Sequence, residues 1–287
     1  MDIDPVIVLA RFFYYGATSV LFGSSLFSLY AAGIGQADTR FWLPRDAAAT
    51  LATMALLSAL IWLAAFTISI GNLDGFIATL QTILFGSSLG TAWILRLFFL
   101  ALLFLAVLSQ HPLLVATAAF AVLFSEGWSG HGASAGWLGP TLHAVHAVCA
   151  AAWVGGLVAL ARVIAAARTG TMERRVAEAI LGRFSRIGLV VVLLLATTGS
   201  AMAWLIIGGM PQLSTGYGRL LLLKVALFAA MAGLAAINRL FLVPKVASHH
   251  SGGALNAMSA TILLEQLAGA AVLFDVAVLG LIDPHAR

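Results

Sequence analysis

Apolar residues run in long unbroken stretches along this chain, separated by short polar segments. A helix crossing a bilayer core needs about 20 apolar residues, and a window of that length predicts eight spans. They lie near 6–32, 47–70, 91–109, 112–128, 141–161, 187–208, 219–241 and 260–282. The fourth has the weakest pattern, because Ser125, Glu126 and Ser129 dilute its end. Residues 72–86 carry a different period: Phe76, Ile77, Leu80, Ile83 and Leu84 recur at helical spacing opposite Asp74 and Gln81. That pattern suits a short amphipathic helix on the membrane surface. An open sheet is excluded, since lipid cannot satisfy its edge. The expected fold is all-α: a polytopic membrane protein with one membrane domain over residues 1–287.

Composition agrees. Hydrophobic residues make up 62% of the chain and charged ones 9%, against roughly 25% charged in soluble domains. Mean hydropathy is +1.04. The acidic start, Met1-Asp2-Ile3-Asp4-Pro5, lacks the basic region of a cleaved signal peptide, so the first apolar stretch is expected to stay as a helix. A single cysteine, Cys149, rules out an internal disulfide framework and a four-cysteine zinc site. No Walker A motif is present, which speaks against ATP-driven pumping by this chain. Neither an enzymatic role nor a nucleic-acid partner is expected.

Charge sets the orientation. Arg162, Arg168, Arg174, Arg175, Arg183 and Arg186 lie in 162–186, Arg239 and Lys245 after span seven, and Arg40 and Arg45 after span one. With eight spans these three connections share one side, and they hold ten of the 15 basic residues. They are read as cytoplasmic, which puts both termini, 129–140 and 209–218 on the periplasmic side. A faint internal repeat fits this arrangement. Gly90 to Leu97 resembles Gly218 to Val225, each with a base six residues after its glycine, Arg96 and Lys224. Two parallel four-helix halves, 1–128 and 129–287, would explain the match.

Ionisable groups inside a membrane call for a reason, since each costs roughly 2.5–3.5 kcal/mol at mid-helix on insertion scales. With this topology Arg11, Arg96 and Lys224 sit about two turns below the outer face. Glu126, His131, His143, His146, Met202, Met210 and Asp275 approach that face from four spans and a loop. The three bases would snorkel to the headgroups, pair with Glu126 and Asp275, or hold an anionic ligand. On the inner side Arg239 and Glu265 lie at comparable depth, as a candidate structural pair.

His143 and His146 share a helix face at i, i+3, with Cys149 about 120° round from His143. Imidazole suits copper, zinc, iron and nickel, while thiolate and thioether favour Cu(I). His131, between Gly130 and Gly132, can fold back toward the same mouth. The candidate metal ligands are therefore His131, His143 and His146, with Met202, Met210 and Cys149 as softer donors. Neutral hydrogen-bonded histidines are the alternative. A b-type haem in an electron-transfer protein is another, but it usually takes imidazoles from facing helices, and both in-span histidines lie on one.

These residues carry a resemblance. Gly130-His131-Gly132, Leu142-His143 and Ala152-Trp153-Val154-Gly155-Gly156-Leu157 are similar to the span-five signature of the CopD family, the copper resistance protein D membrane proteins of bacteria. Arg183-Phe184-Ser185-Arg186, Thr198-Gly199, Tyr217-Gly218-Arg219-Leu220-Leu221-Leu222, Lys224, Asn238-Arg239 and Leu264-Glu265 follow in the family's order. The likeness covers nearly the whole chain and is strongest over 130–283. It implies an inner-membrane protein of copper homeostasis that moves copper from periplasm toward cytoplasm, or a scaffold that receives copper without translocating it. It also implies a periplasmic CopC-like copper-binding partner. With so short an N-terminus here, that partner is expected as a separate chain.

The topology is directly testable. In a Cys149→Ala background, a cysteine at position 172 should resist a membrane-impermeant thiol reagent applied from the periplasm. Cysteines placed in 129–140 and 209–218 should react. Labelling of position 172 from outside reverses the orientation.

Overall fold

A computed structural model describes residues 4–31, 43–128, 136–207, 215–246 and 251–283, and the chain is helical almost throughout. The helices are α1 (Pro5–Ala31), α2 (Arg45–Gly71), α3 (Phe76–Gly86), α4 (Ser88–Leu108) and α5 (Pro112–Ser125). After them come α6 (Leu138–Thr169), α7 (Arg174–Ile207), α8 (Gly216–Ile237), the single turn α9 (Val243–Val246) and α10 (Ser251–Leu279). Among the described residues, seven helices are long and apolar enough to cross a membrane: α1, α2, α4, α6, α7, α8 and α10. The fourth expected span, Pro112–Trp128, is shorter, and its last turn, Glu126–Trp128, is a 3-10 turn. The segment expected to lie along the surface forms α3, a separate 11-residue helix with Ile77 and Phe85 exposed.

Local chemistry fixes the ends. Asp4 Oδ1 accepts the Val6 amide at 2.8 Å ahead of Pro5, a cap followed by a proline at the first helical position. Ser87 caps α4 by accepting the Gly90 amide at 3.2 Å, and Thr215 caps α8 through the Gly218 amide at 3.1 Å. These are the two glycines of the proposed repeat, and each is preceded by a hydroxyl cap at the same offset. α6 closes on Gly170 with φ 75°, in the left-handed region that glycine enters without strain.

The expected span ends are extended in several places. The arginine-rich segment 162–186 is mostly helix, with α6 running to Thr169 and α7 starting at Arg174. Ala177, Ile180 and Leu181 bury one face of this extension, while Arg183 donates to the Tyr30 carbonyl and Arg168 to Ser259. Two of the six basic groups thus tie helices together, while Arg162, Arg174, Arg175 and Arg186 stay exposed. In the same way α10 begins at Ser251, nine residues before the apolar window at 260.

Two apolar clusters form the core. One joins α1, α2, α4 and α5 through residues such as Leu21, Phe22, Trp62, Leu100 and Leu123. The second joins α6, α7 and α10 to the inner end of α1 through Phe27, Leu157, Ile180 and Ile262. α1 is therefore the axis of the bundle, and its crossing with α6 is very close. A Cβ on Gly23 would lie 2.6 Å from the Cα of Gly155, and one on Gly155 would strike the Ser19 carbonyl. Ser24 Oγ donates to the Gly155 carbonyl at 3.3 Å. Small residues allow this approach where lipid offers no hydrophobic force to drive helices together.

Side chains at this crossing should be poorly tolerated. Gly155→Ala is expected to cost about 1–3 kcal/mol by overpacking, and Gly155→Leu to prevent folding. Gly233→Ala, with open space around its Cβ position, should be neutral. Thermal unfolding of detergent-purified variants reads all three; a Gly155→Ala melt equal to that of Gly233→Ala would disprove the close crossing.

Candidate functional site

Of the ionisable residues expected within the spans, Arg11, Arg96, Glu126 and Asp275 are buried, and several of them are closely partnered. Arg96 on α4 is 1% exposed, with Nε 2.7 Å from Glu126 Oε1. The same carboxylate oxygen accepts the Tyr14 hydroxyl of α1 at 2.6 Å. The Arg96 guanidinium lies 4.5 Å from the Trp93 ring centre and 4.9 Å from that of Trp62. Arg96 is thus held in an aromatic and anionic cage and does not snorkel.

Arg11 is treated differently. Its guanidinium lies 4.9 Å from the Trp62 ring centre and 5.7 Å from that of Tyr15, and Nη1 donates weakly to the Gly280 carbonyl at 3.4 Å. The missing side chain of Gly280 leaves the room this guanidinium occupies. Such stacking is worth about 0.5–2 kcal/mol per contact, more where water is excluded. On the other side of the bundle, Lys224 of α8 faces Asp275 of α10. Asp275 is 3% exposed, and neither carboxylate oxygen has a hydrogen-bond partner among the described residues. Of the two acids considered for Arg96, it is Glu126 that the structure gives it.

The two histidines lie near the N-terminal end of α6. His146 Nδ1 lies 3.0 Å from Thr198 Oγ1 of α7, and Thr198 in turn donates its hydroxyl to the Leu194 carbonyl. With its hydroxyl proton so committed, Thr198 turns an oxygen lone pair toward Nδ1 of His146, and the Leu195 backbone also bonds to this ring. Gly199 makes room for the ring, since a Cβ there would be 3.2 Å from Cε1. Met202 lies one turn beyond Thr198 on the same face of α7. His143 lies within the field of Glu126, Lys224, Arg11 and Arg96. His131 and Met210 fall outside the described residues. Among the described residues no group of three His, Cys, Asp or Glu side chains is arranged to hold a metal ion. Cys149 is buried in the second apolar cluster with Phe27, Trp153 and Leu157, an environment that shields the thiol.

The inner pair needs correction. Glu265 accepts a 2.7 Å hydrogen bond from Asn238 Nδ2 with the Trp153 indole nearby, and among the described residues it has no ion pair with Arg239. Arg239 instead donates to the Ser185 carbonyl of α7 at 2.8 Å. Adjacent helical residues point about 100° apart, so only one of Asn238 and Arg239 can face α10.

Tyr14, Trp62, Trp93 and Thr198 were not singled out as site residues by sequence reasoning. Their signal was weak: a hydroxyl or indole in mid-span looks like ordinary aromatic or small-residue packing. Thr198-Gly199 did stand out as a motif, and the structure gives it a task in orienting His146.

Comparison with known proteins bears on the whole chain. The family model "Copper resistance protein D" matches residues 178–279, and "Copper resistance protein D-like, N-terminal domain" matches residues 1–140. The chain is 30% identical over 302 aligned residues to the copper resistance protein D of Pseudomonas syringae pv. tomato, covering 97% of this chain and 95% of that protein. It is 28% identical over 298 residues to the inner membrane protein YebZ of Escherichia coli K12, covering 96% and 98%. No solved structure matches it.

Breaking the Arg96–Glu126 pair should be expensive. Arg96→Ala is expected to lose about 3–5 kcal/mol by stranding a buried carboxylate, and Tyr14→Phe about 1.5–3 kcal/mol as a hydrogen bond to a charged group. Arg96→Lys should fold yet melt lower, since lysine lacks the planar group that lies against two indoles. A double-mutant cycle with Glu126→Gln, read by thermal unfolding, should show coupling above about 1 kcal/mol; additive losses would mean the two side chains act independently.

Proposed function

The chain belongs to the copper resistance protein D family, and from that premise we propose that it carries copper across the bacterial inner membrane, from an outer histidine and methionine site toward the cytoplasm. The observation that carries the site is His146, held by Thr198 of α7 through Nδ1, one turn from His143. Metal-binding histidines commonly have the second nitrogen fixed in this manner, which sets the tautomer and orients the ring. His143 and His146 are the proposed ligands, His131 an entry ligand, and Met202 and Met210 thioether donors suited to Cu(I). Cys149 is the least accessible of the candidates. Copper here is cargo, bound long enough to be handed on.

The positive charges of the outer half are less of an obstacle to a cation than their number suggests. Arg96 is neutralised by Glu126, and Lys224 faces Asp275. Arg11 is spread against two aromatic rings. In this reading they set the shape and potential of the mouth, and a separate periplasmic CopC-like protein delivers copper there. Both termini lie outside, Pro112–Trp128 completes eight spans, and the halves 1–128 and 129–287 are parallel repeats. Supporting the repeat, α1 packs on α2 and α5 as α6 packs on α7 and α10, and α4 packs on α5 as α8 does on α10. Arg96 with Glu126 and Lys224 with Asp275 then occupy equivalent helix pairs.

Copper binding to purified protein, followed by uptake into proteoliposomes, tests the proposal. The double variant His143→Ala, His146→Ala should abolish binding, and His131→Ala should weaken it. Thr198→Val, which removes only the hydroxyl, should lower affinity by about 10- to 100-fold. Unchanged stoichiometry in the double variant would sink the ligand assignment. Binding without uptake would make the protein a copper-receiving scaffold, and a haem-type visible spectrum would replace copper by the electron-transfer reading.

A further inference from the structure

Beyond the outer site, α10 buries a second carboxyl that the copper ligands do not use. Glu265 is 1% exposed in the inner half of the bundle, and its surroundings are unusual in charge. α8 leads into Asn238, whose Nδ2 donates to Oε1 at 2.7 Å, and α6 places the Trp153 indole near the same carboxyl. On α10 itself Thr261 donates to Asn238 Oδ1 at 2.6 Å, and Gln266 donates to the Leu157 carbonyl of α6 at 3.1 Å. α1 and α9 add no titratable side chain to the carboxyl, and Arg239 is committed to Ser185. Among the described residues, no lysine, arginine or histidine acts on Glu265.

Two N–H donors aimed at one carboxyl suit its ionised form, which accepts only. An ionised carboxylate buried without a counter-charge is costly, so the site must take up a mobile cation or discharge with a proton. The oxygen and amide set of Glu265, Asn238 and Thr261 is hard and does not match soft Cu(I). A proton satisfies it. Protonation would also change the packing, because one oxygen becomes an O–H donor and can no longer receive both N–H groups equally. The ties from α10 to α8 and α6 then loosen.

A second feature falls at the same place. α8 opens into a π turn over Asn238–Leu242, with the Val243 amide bonded to the Asn238 carbonyl. Such wide turns cost regular hydrogen bonding and gather at functional positions; this one begins at the residue that holds Glu265. One turn outward, Val154 and Met231 close over Gly269, so an apolar layer separates Glu265 from Lys224 and Asp275. The α6–α8–α10 seam thus has an outer polar station, an apolar layer and an inner one.

We propose that Glu265 takes up and releases a proton at the inner station, and that its protonation state latches or frees the α6–α8–α10 seam. The step is a simple exchange: the carboxylic O–H breaks, the proton leaves to water at the inner side, and the carboxylate regains its two N–H donors. Its consequence, coupling of copper movement to a proton gradient, rests on the transport reading; its acid–base chemistry does not.

Infrared difference spectra of the purified protein, taken between about pH 5 and pH 9, test the chemistry without copper. The wild type should show a protonated-carboxyl band that titrates and is lost in Glu265→Gln. Asn238→Ala and Trp153→Phe keep the acid but remove a donor to its ionised form, so each should move the midpoint to higher pH, by about one unit. In proteoliposomes, Glu265→Gln should bind copper like the wild type while losing the response of uptake to an imposed pH gradient. No titrating band assignable to Glu265, or a wild-type gradient response in Glu265→Gln, overturns the proposal. Should Glu265→Gln fail to fold, the two donor variants decide it, an unmoved midpoint in both being the negative result. Absence of copper uptake by the wild type would refute the transport reading alone.

Discussion

The pair of Arg96 and Glu126 is the contact on which the outer half of the molecule depends. In lipid no water can compensate a charge, so an arginine two turns below the surface must carry its own solvation. Here that solvation comes from three other helices: Glu126 from the end of α5, Tyr14 from α1, and Trp62 from α2 beside the helix's own Trp93. The guanidinium therefore fixes the relative rotation of α1, α2, α4 and α5 more tightly than apolar packing could, because lipid tails compete equally well for apolar surface. α1 then transmits this order to the second half through its close crossing with α6 at Gly23 and Gly155. The histidines ride on α6, which also packs against the turn that carries Glu126, so the cage bears on their position directly.

How much of this was legible in the sequence follows from what each signal measures. A hydropathy window registers apolar length, so the seven long helices were readable, and so was α3 from its different period. The window is blind to helices that continue into water, which is why 162–186 read as a connection. Ala177, Ile180, Leu181 and Phe184 repeat at helical spacing there, and that pattern would have revealed the extension. Depth along the axis put Arg96 near Glu126 and Lys224 near Asp275, and the structure keeps these as two separate pairs. It could not choose between neighbours in sequence, and the expected Arg239–Glu265 pair failed for that reason, since facing direction turns by about 100° per residue. Neutral partners were the least legible. Tyr14, Thr198 and Trp153 carry no charge to be justified, yet they orient the charged and imidazole groups.

The two base–acid pairs show how one arrangement can serve two ends. On the two-repeat reading, Arg96 with Glu126 and Lys224 with Asp275 are equivalent, each a base on a capped helix facing an acid at the outer end of the next long one. In the first half the base is an arginine, whose planar group lies against two rings and reaches its acid directly, with every neighbour packed around it. In the second half the base is a lysine, a flexible point charge, and its acid has no hydrogen-bond partner among the described residues. The first pair has the properties of a fixed strut. The second leaves both Asp275 oxygens without a hydrogen-bond partner among the described residues, while its lysine acts on both His143 and His146. A fully satisfied network gains rigidity by the same contacts that deny a ligand entry, so the two pairs differ in what each leaves open.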